Sequence, residues 1–246
     1  MAALSGKSAL VTGASRGIGA AIAQRLAKDG ADVAVTYSSS PERAGQIVAE
    51  ITREGGKALA IRADAADQGA VRAAVQQAAK EFGRIDILVN NAGVLALGPI
   101  ADFPAEQFEK ALSVNVRSVF TAVQEALRHM PDGGRIITIG SVNSERMPFP
   151  GGAVYALTKG AVASFTKGLA RDLGERKITV NNIQPGPVDT EANPAGGPFA
   201  ETMLGLMALK RYGHPDEIAA MVAYLAGPEA GYITGASLLI DGGFAA

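Results

Sequence analysis

"SALVTGASRGIGAAIA", residues 8–23, begins as a short apolar run, passes three glycines and ends as the start of an alanine-rich helix. The run around Leu10 and Val11 has no in/out alternation, which is how a strand buried on both faces reads. Gly13, Gly17 and Gly19 are spaced G-x-x-x-G-x-G, not the G-x-G-x-x-G of the common dinucleotide fingerprint. The physical need is similar: a tight turn leaves the strand, and the backbone comes close to a pyrophosphate. The helix N-terminus then offers free N–H groups and the positive end of its dipole. A plain strand-to-helix turn also uses glycine for its geometry, so the loop alone leaves nucleotide binding open.

The rest of the chain repeats the alternation. After 8–12 comes a helix over 19–30, then "ADVAVTY" (31–37) and a helix opening at Ser40–Pro41–Glu42, where serine caps and proline takes the first helical position. "ALAIRA" (58–63) precedes a helix over 67–83, and "IDILVNN" (85–91) precedes a loop and a long helix to about His129. "GRIITIGS" (134–141), a helix over 154–176, "KITVNNI" (177–183), an irregular stretch (184–210), a helix near 215–227 and "ASLLIDGG" (236–243) complete the order. This βα alternation predicts an α/β fold: one doubly wound (Rossmann) parallel sheet of about seven strands with helices on both faces. Without linker, charge run or repeat, residues 1–246 read as one domain. The glycine loop then lies at the first βα junction, where such sheets bind nucleotides.

Composition narrows the function classes. Apolar residues make up 48% of the 246 and the net charge is −1, an ordinary globular balance without the basic footprint of a nucleic-acid binder. With no Cys, thiolate nucleophiles, disulfides and Cys-ligated metals are excluded, and the two His, His129 and His214, are far apart in sequence. No metal site is expected. No apolar run reaches membrane-spanning length, and the N-terminus lacks signal-peptide character, so a cytoplasmic location is expected.

The end of the second strand bears on cofactor choice. NAD binders usually carry an acid there for the ribose hydroxyls. Here "TYSSSPERA" (36–44) has no carboxylate before Glu42; Ser38, Ser39 and Arg43, with Arg16 in the glycine loop, suit a 2′-phosphate. NADP(H) is therefore favoured, against the plainer reading of Arg43 as a solvated helix residue and the serines as turn formers.

Tyr155 and Lys159 in "VYALTKG" (154–160) are spaced to share a helix face. A catalytic acid works best with a pKa near the operating pH, and a phenol with pKa near about 10 is poorly matched to neutral pH. An ammonium about 4 Å away, at an effective dielectric near 20, is worth about 4 kcal/mol, enough to lower that pKa by up to about three. Ser141 ends a strand at the ligand-binding edge, although a serine there also makes an ordinary turn. Asn115 is a polar residue in an apolar-rich helix, which a satisfied core amide would equally explain.

In this order the glycine loop, "NNAG" (90–93), Asn115, Ser141, "YALTK" (155–159) and "PGPVDT" (185–190) resemble the short-chain dehydrogenase/reductase family over essentially the whole chain. The likeness is strongest to reductases of 3-oxoacyl thioesters and of assorted ketones and aldehydes. "GSVNSERMP", "QPGPVDTEANPAGGP" and "MALKRYGHPDE" look like a subgroup that includes a reductase associated with cyclic di-GMP and biofilm dispersal. The resemblance implies Tyr155 as acid/base, Lys159 as its activator and a ribose ligand, Ser141 as carbonyl orienter, and Asn115 as organiser of a proton-relay water. It implies a cofactor contacted by Gly13, Ser15, Arg16, Gly17, Ile18, Gly19, Ser38, Ser39, Arg43, Asp64, Asn91, Ala92, Gly93, Tyr155, Lys159, Pro185, Gly186, Val188 and Thr190. Asp64 would lie near the adenine, and Val188 and Thr190 at the nicotinamide amide.

One departure is visible: Ser141 and Tyr155 are 14 positions apart where the family usually has 13, so "VNSERMPFPGGAV" carries an extra loop residue. Specificity is expected from that 142–153 loop, Leu95, Gln184 and a lid over about 186–210. Met203, Leu206 and Met207 would there cover a hydrophobic carbonyl or alcohol substrate, or simply form the core face of a surface helix. By analogy the helices over 106–129 and 155–176 pair between subunits, giving a homotetramer, with a dimer next. The leading function is an NADPH-dependent carbonyl reductase. A 3-oxoacyl thioester reductase and a cyclic-dinucleotide-binding regulator on the same fold are the alternatives.

Overall fold

The computed structural model describes residues 2–246. Among them a seven-stranded sheet, parallel throughout, has the order β3-β2-β1-β4-β5-β6-β7. Its strands are β1 (Ser8–Val11), β2 (Asp32–Tyr37), β3 (Ala58–Arg62), β4 (Ile87–Asn90), β5 (Arg135–Ile139), β6 (Thr179–Pro185) and β7 (Ser237–Ile240). The helices are α1 (Gly17–Lys28), α2 (Pro41–Arg53), α3 (Gln68–Phe82), α4 (Ala105–Leu112), α5 (Ser118–Ala126), α6 (Ala153–Asp172), α7 (Ala200–Leu206) and α8 (Pro215–Ala226).

Period-2 geometry divides the strand side chains between two cores. Ala9, Val11, Val33, Val35, Ile87, Val89, Ile137 and Ile183 face Ile22 and Leu26 of α1 and Val222 and Leu225 of α8. Leu10, Ala34, Leu88, Ile136 and Val180 face Val75 and Ala78 of α3, Val119 and Val123 of α5 and Val162 of α6. Both faces are covered, which is why the strands read as unbroken apolar runs. A fully buried leucine such as Leu26 contributes about 1.5–3 kcal/mol, more than most exposed ion pairs here.

Local chemistry sets the ends. Asp67 caps α3, its carboxylate accepting from Gly69 N at 2.8 Å and Ala70 N at 3.1 Å. Pro41 begins α2 as expected, but the Ser40 side chain makes no capping bond. The glycine-loop helix starts at Gly17, two residues earlier than expected. The long helix to His129 is interrupted: a π-helical segment, Ser113–Arg117, separates α4 from α5, and α5 ends at Ala126. The irregular stretch contains one short helix, α7. Among the described residues no helix is long and apolar enough to cross a membrane, and no group of three or more His, Asp or Glu is placed to hold a metal ion.

Strand order reverses between β1 and β4, so the loops after their carboxyl ends diverge and leave a crevice. The residues that matter collect along that edge.

Candidate active site

The crevice floor is the glycine loop. Gly13 has φ +63°, and a Cβ there would meet Ala92 Cα at 2.8 Å; at Gly19 it would meet the Asn91 side-chain nitrogen at 2.4 Å. Such distances leave no room for a side chain, so these positions require glycine. Threonines at the strand ends stitch the floor together. Thr12 Oγ1 accepts from both Asn91 N and Ala92 N at 3.0 Å, and Thr36 Oγ1 accepts from Gly13 N at 3.0 Å. Asn91 Nδ2 donates to the carbonyls of Thr12 and Gly13, each at 2.9 Å. Asn91 is therefore a structural tie under the crevice, with Ala92 and Gly93 beside it. Ser15 and Ile18 lie at the entry to α1, whose first turn carries no acid to oppose the positive end of its dipole. Ile18 also packs on the first core.

Further residues expected around a cofactor line the same edge. Ser38 and Ser39 are exposed past β2, and Asp64 is exposed past β3, one carboxylate oxygen accepting from Ala66 N at 2.9 Å. Pro185 ends β6; a Cβ on Gly186 would lie 2.7 Å from Asp241 Cα. Val188 is buried, and Thr190 borders Gly17, where a Cβ would lie 3.4 Å from Thr190 Cγ2. Arg16 and Arg43 converge across the loop, where both are engaged by Glu191, a residue that sequence reasoning missed.

The catalytic candidates converge next to this floor. Ser141 is buried after β5, its Oγ accepting from Asn143 N at 3.1 Å and donating to Asn143 Oδ1 at 3.3 Å. Tyr155, in the first turn of α6, presents its phenol to Ser141; burial raises the phenol pKa and the Ser141 hydrogen bond works the other way. Lys159 lies one turn on, fully inside the protein, with Nζ 5.8 Å from the Tyr155 ring centroid and donating to the Ile139 carbonyl at 2.9 Å. Burial brings its ammonium down to about 8.

This corrects the expectation of a lowered phenol. The i, i+4 spacing does place the two side chains on one face. The ammonium, however, donates to the Ile139 carbonyl, and loss of water around the phenol raises its pKa against the Ser141 hydrogen bond.

Asn115 lies in the π-helical segment. Its Oδ1 accepts from Val94 N at 2.8 Å, and its Nδ2 donates to Val94 O at 2.9 Å and to Thr158 Oγ1 at 3.0 Å. The side chain thus pins the loop after β4 to α6, which carries Tyr155 and Lys159. Thr158 went unnoticed in the sequence, since its partner lies on another helix.

Two specificity expectations change. Gln184 is buried and holds the loop from below, donating to Ser144 Oγ at 2.6 Å and Glu145 Oε1 at 3.0 Å, so it does not line the mouth. Met207 is packed with Val142, Ala200, Tyr212 and Phe244, with Met203 and Leu206 against them, so that residue builds the protein's own core. Leu95 (63% exposed) and Phe199 (70% exposed) instead offer apolar surface. The extra residue in the 142–153 loop is accommodated: Gly151 turns with φ +87° and its carbonyl accepts from Gly98 N at 2.9 Å, while Ser141 still faces Tyr155.

A glycine-floored crevice beside a Ser–Tyr–Lys cluster on a seven-stranded parallel sheet defines a nucleotide-dependent redox fold. A family model described as enoyl-(acyl carrier protein) reductase matches residues 13–245. The chain belongs to the short-chain dehydrogenase/reductase family, and with it to the oxidoreductases. A short-chain dehydrogenase/reductase from Serratia marcescens superposes with TM-score 0.98 at 61% identity, covering 99% of this chain and 100% of that one. A short-chain dehydrogenase from Burkholderia cenocepacia, solved in complex with NADP, gives TM-score 0.98 at 52% identity over 99% and 100%. The cyclic-di-GMP-binding biofilm dispersal mediator protein of Escherichia coli is 47% identical over 246 residues, all of both chains.

Proposed function

We propose that this chain is an NADP(H)-dependent carbonyl reductase that converts a ketone or aldehyde to an alcohol, reversibly, with Tyr155 as general acid. The observation that carries the reading is the Tyr155 phenol facing the Ser141 hydroxyl, with Lys159 one turn on, beside a crevice floored by glycines. A phenol is neutral at physiological pH, the form that donates a proton to a developing alkoxide.

The residues present fit a dinucleotide. Gly13, Gly17 and Gly19 let the loop pack tightly against its neighbours and turn into α1, whose N-terminal amides suit a pyrophosphate, and Arg16 and Arg43 suit a 2′-phosphate. The NADP-bound Burkholderia relative supports that choice. The nicotinamide supplies the hydride when bound. Ser141 orients the carbonyl oxygen, Tyr155 protonates it, Lys159 places a buried positive charge behind the phenol, and Asn115 holds the framework that aligns them. Exposed Leu95, in the loop after β4, and Phe199, just before α7, favour an apolar substrate. Phe120 (51% exposed) and Leu157 (52% exposed) on α5 and α6 support helix pairing between subunits, in line with a homotetramer.

The test is oxidation of NADPH, and separately NADH, with a panel of ketones, aldehydes and a 3-oxoacyl thioester. Turnover preferring NADPH supports the reading, and the preferred substrate separates the general reductase from the thioester reductase. A second reading, cyclic-dinucleotide binding, is favoured by the 47% identity to the biofilm dispersal mediator. Calorimetry with cyclic di-GMP decides it; absence of binding at high micromolar concentration removes it.

A further inference from the structure

Arg43 Nη1 donates to both carboxylate oxygens of Glu191, at 2.7 and 2.6 Å, and Arg16 Nη1 reaches one of them at 3.4 Å. The three residues come from three places: the glycine loop, the first turn of α2, and the chain after β6. Glu191 is not on a slack loop. Thr190 and Asn193 exchange backbone hydrogen bonds at 3.4 and 3.0 Å, making a tight turn that holds Glu191 at its tip. Asn193 Nδ2 and Asp189 Oδ1 brace that turn, to Val188 O at 3.4 Å and Ala195 N at 2.9 Å. The far end of the same segment is fixed by Arg211, whose guanidinium grips Glu217 at the start of α8 at 2.7 and 2.8 Å.

We infer that Glu191 is an internal competitor for the 2′-phosphate of NADP(H), holding Arg16 and Arg43 in the free protein and tying the 191–210 segment across the crevice until the phosphate displaces it. The inference rests on the reading of Arg16 and Arg43 as the 2′-phosphate site. A carboxylate and a phosphate present the same kind of oxygen edge to a guanidinium, and Arg43 Nη1, already shared by both Glu191 oxygens, does not serve a phosphate as well. Two guanidiniums and one carboxylate leave one net positive charge. Adding a dianionic phosphate with Glu191 still in place makes the cluster negative, so Glu191 is expelled and its turn moves with it. A cofactor lacking the 2′-phosphate leaves the ion pairs intact. Glu191 therefore lowers the protein's affinity for phosphorylated cofactors and couples their arrival to release of the segment beside the substrate mouth. Burial is slight at all three side chains (45–59% exposed), so the effect is modest.

The experiment is calorimetric titration of the full chain, with no turnover involved, using adenosine 2′,5′-bisphosphate and ADP as probes and comparing wild type, Glu191→Gln and Arg43→Gln. Glu191→Gln is expected to tighten the 2′,5′-bisphosphate roughly three- to fivefold and to leave ADP unchanged. Arg43→Gln is expected to weaken the bisphosphate and spare ADP. If Arg43→Gln weakens the bisphosphate but Glu191→Gln leaves it unchanged or weakens it, the 2′-phosphate site stands and the competitor role is overturned. If Arg43→Gln has no effect on the bisphosphate, the site reading itself fails and the competitor role falls with it.

Discussion

Replacing Lys159 by methionine keeps the length of the side chain and removes its charge, which turns the buried ammonium into a measurable stability term. In the folded protein Lys159 titrates at about 8, against about 10.5 for an exposed lysine. The unfolded chain therefore binds more protons between those values, and stability must rise with pH across that window. Below pH about 8 the buried charge costs roughly 3 kcal/mol, because one pKa unit is about 1.4 kcal/mol. From pH about 7 to about 9.5 the wild type should gain about 2 kcal/mol relative to Lys159→Met. The lost bond to the Ile139 carbonyl shifts the variant by an amount that does not titrate, since a neutral amine still donates, so it cancels in the comparison. Urea denaturation of both proteins at the two pH values, without cofactor, provides the numbers. A difference that stays constant with pH would refute the claim that Lys159 is buried as a strained cation.

Gly19→Ala forces a methyl to within 2.4 Å of Asn91 Nδ2; we expect about 1–3 kcal/mol of destabilisation and loss of NADPH binding by calorimetry, and wild-type affinity would contradict the close packing of the floor. Asn115→Ala leaves Val94 N and O without their side-chain partner and takes one hydrogen bond from Thr158, so a loss of about 2–4 kcal/mol in chemical denaturation is expected, with reduced turnover. Asp67→Ala removes the α3 cap and should cost about 1 kcal/mol in urea denaturation, and unchanged stability would contradict the capping role.

The sheet was legible because strands covered on both faces can only be apolar runs, and each run here is followed by helical periodicity. The glycine floor was legible for a similar reason: Gly13 and Gly19 sit where the backbone itself is crowded. What escaped depends on partners distant in sequence. The π-helical break at Ser113–Arg117 has no breaker residue; it accompanies the bonds Asn115 makes to Val94 and Thr158. Thr12 and Thr36 read as ordinary strand ends until the amides they receive are known. The Tyr155–Lys159 spacing gave the shared face correctly but not the Ile139 carbonyl, 20 residues away, that takes the ammonium. Glu191, 148 positions from Arg43, could not be paired with it from the chain alone.

The central claim is that Tyr155 donates the proton in a cofactor-dependent carbonyl reduction. The most direct measurement compares wild type with Tyr155→Phe on the best carbonyl substrate of the panel, following consumption of NADPH, with calorimetric NADPH binding in parallel. Turnover is expected to fall by about a hundredfold or more while NADPH binding is retained. Turnover that survives the substitution, with the fold and cofactor binding intact, would contradict it.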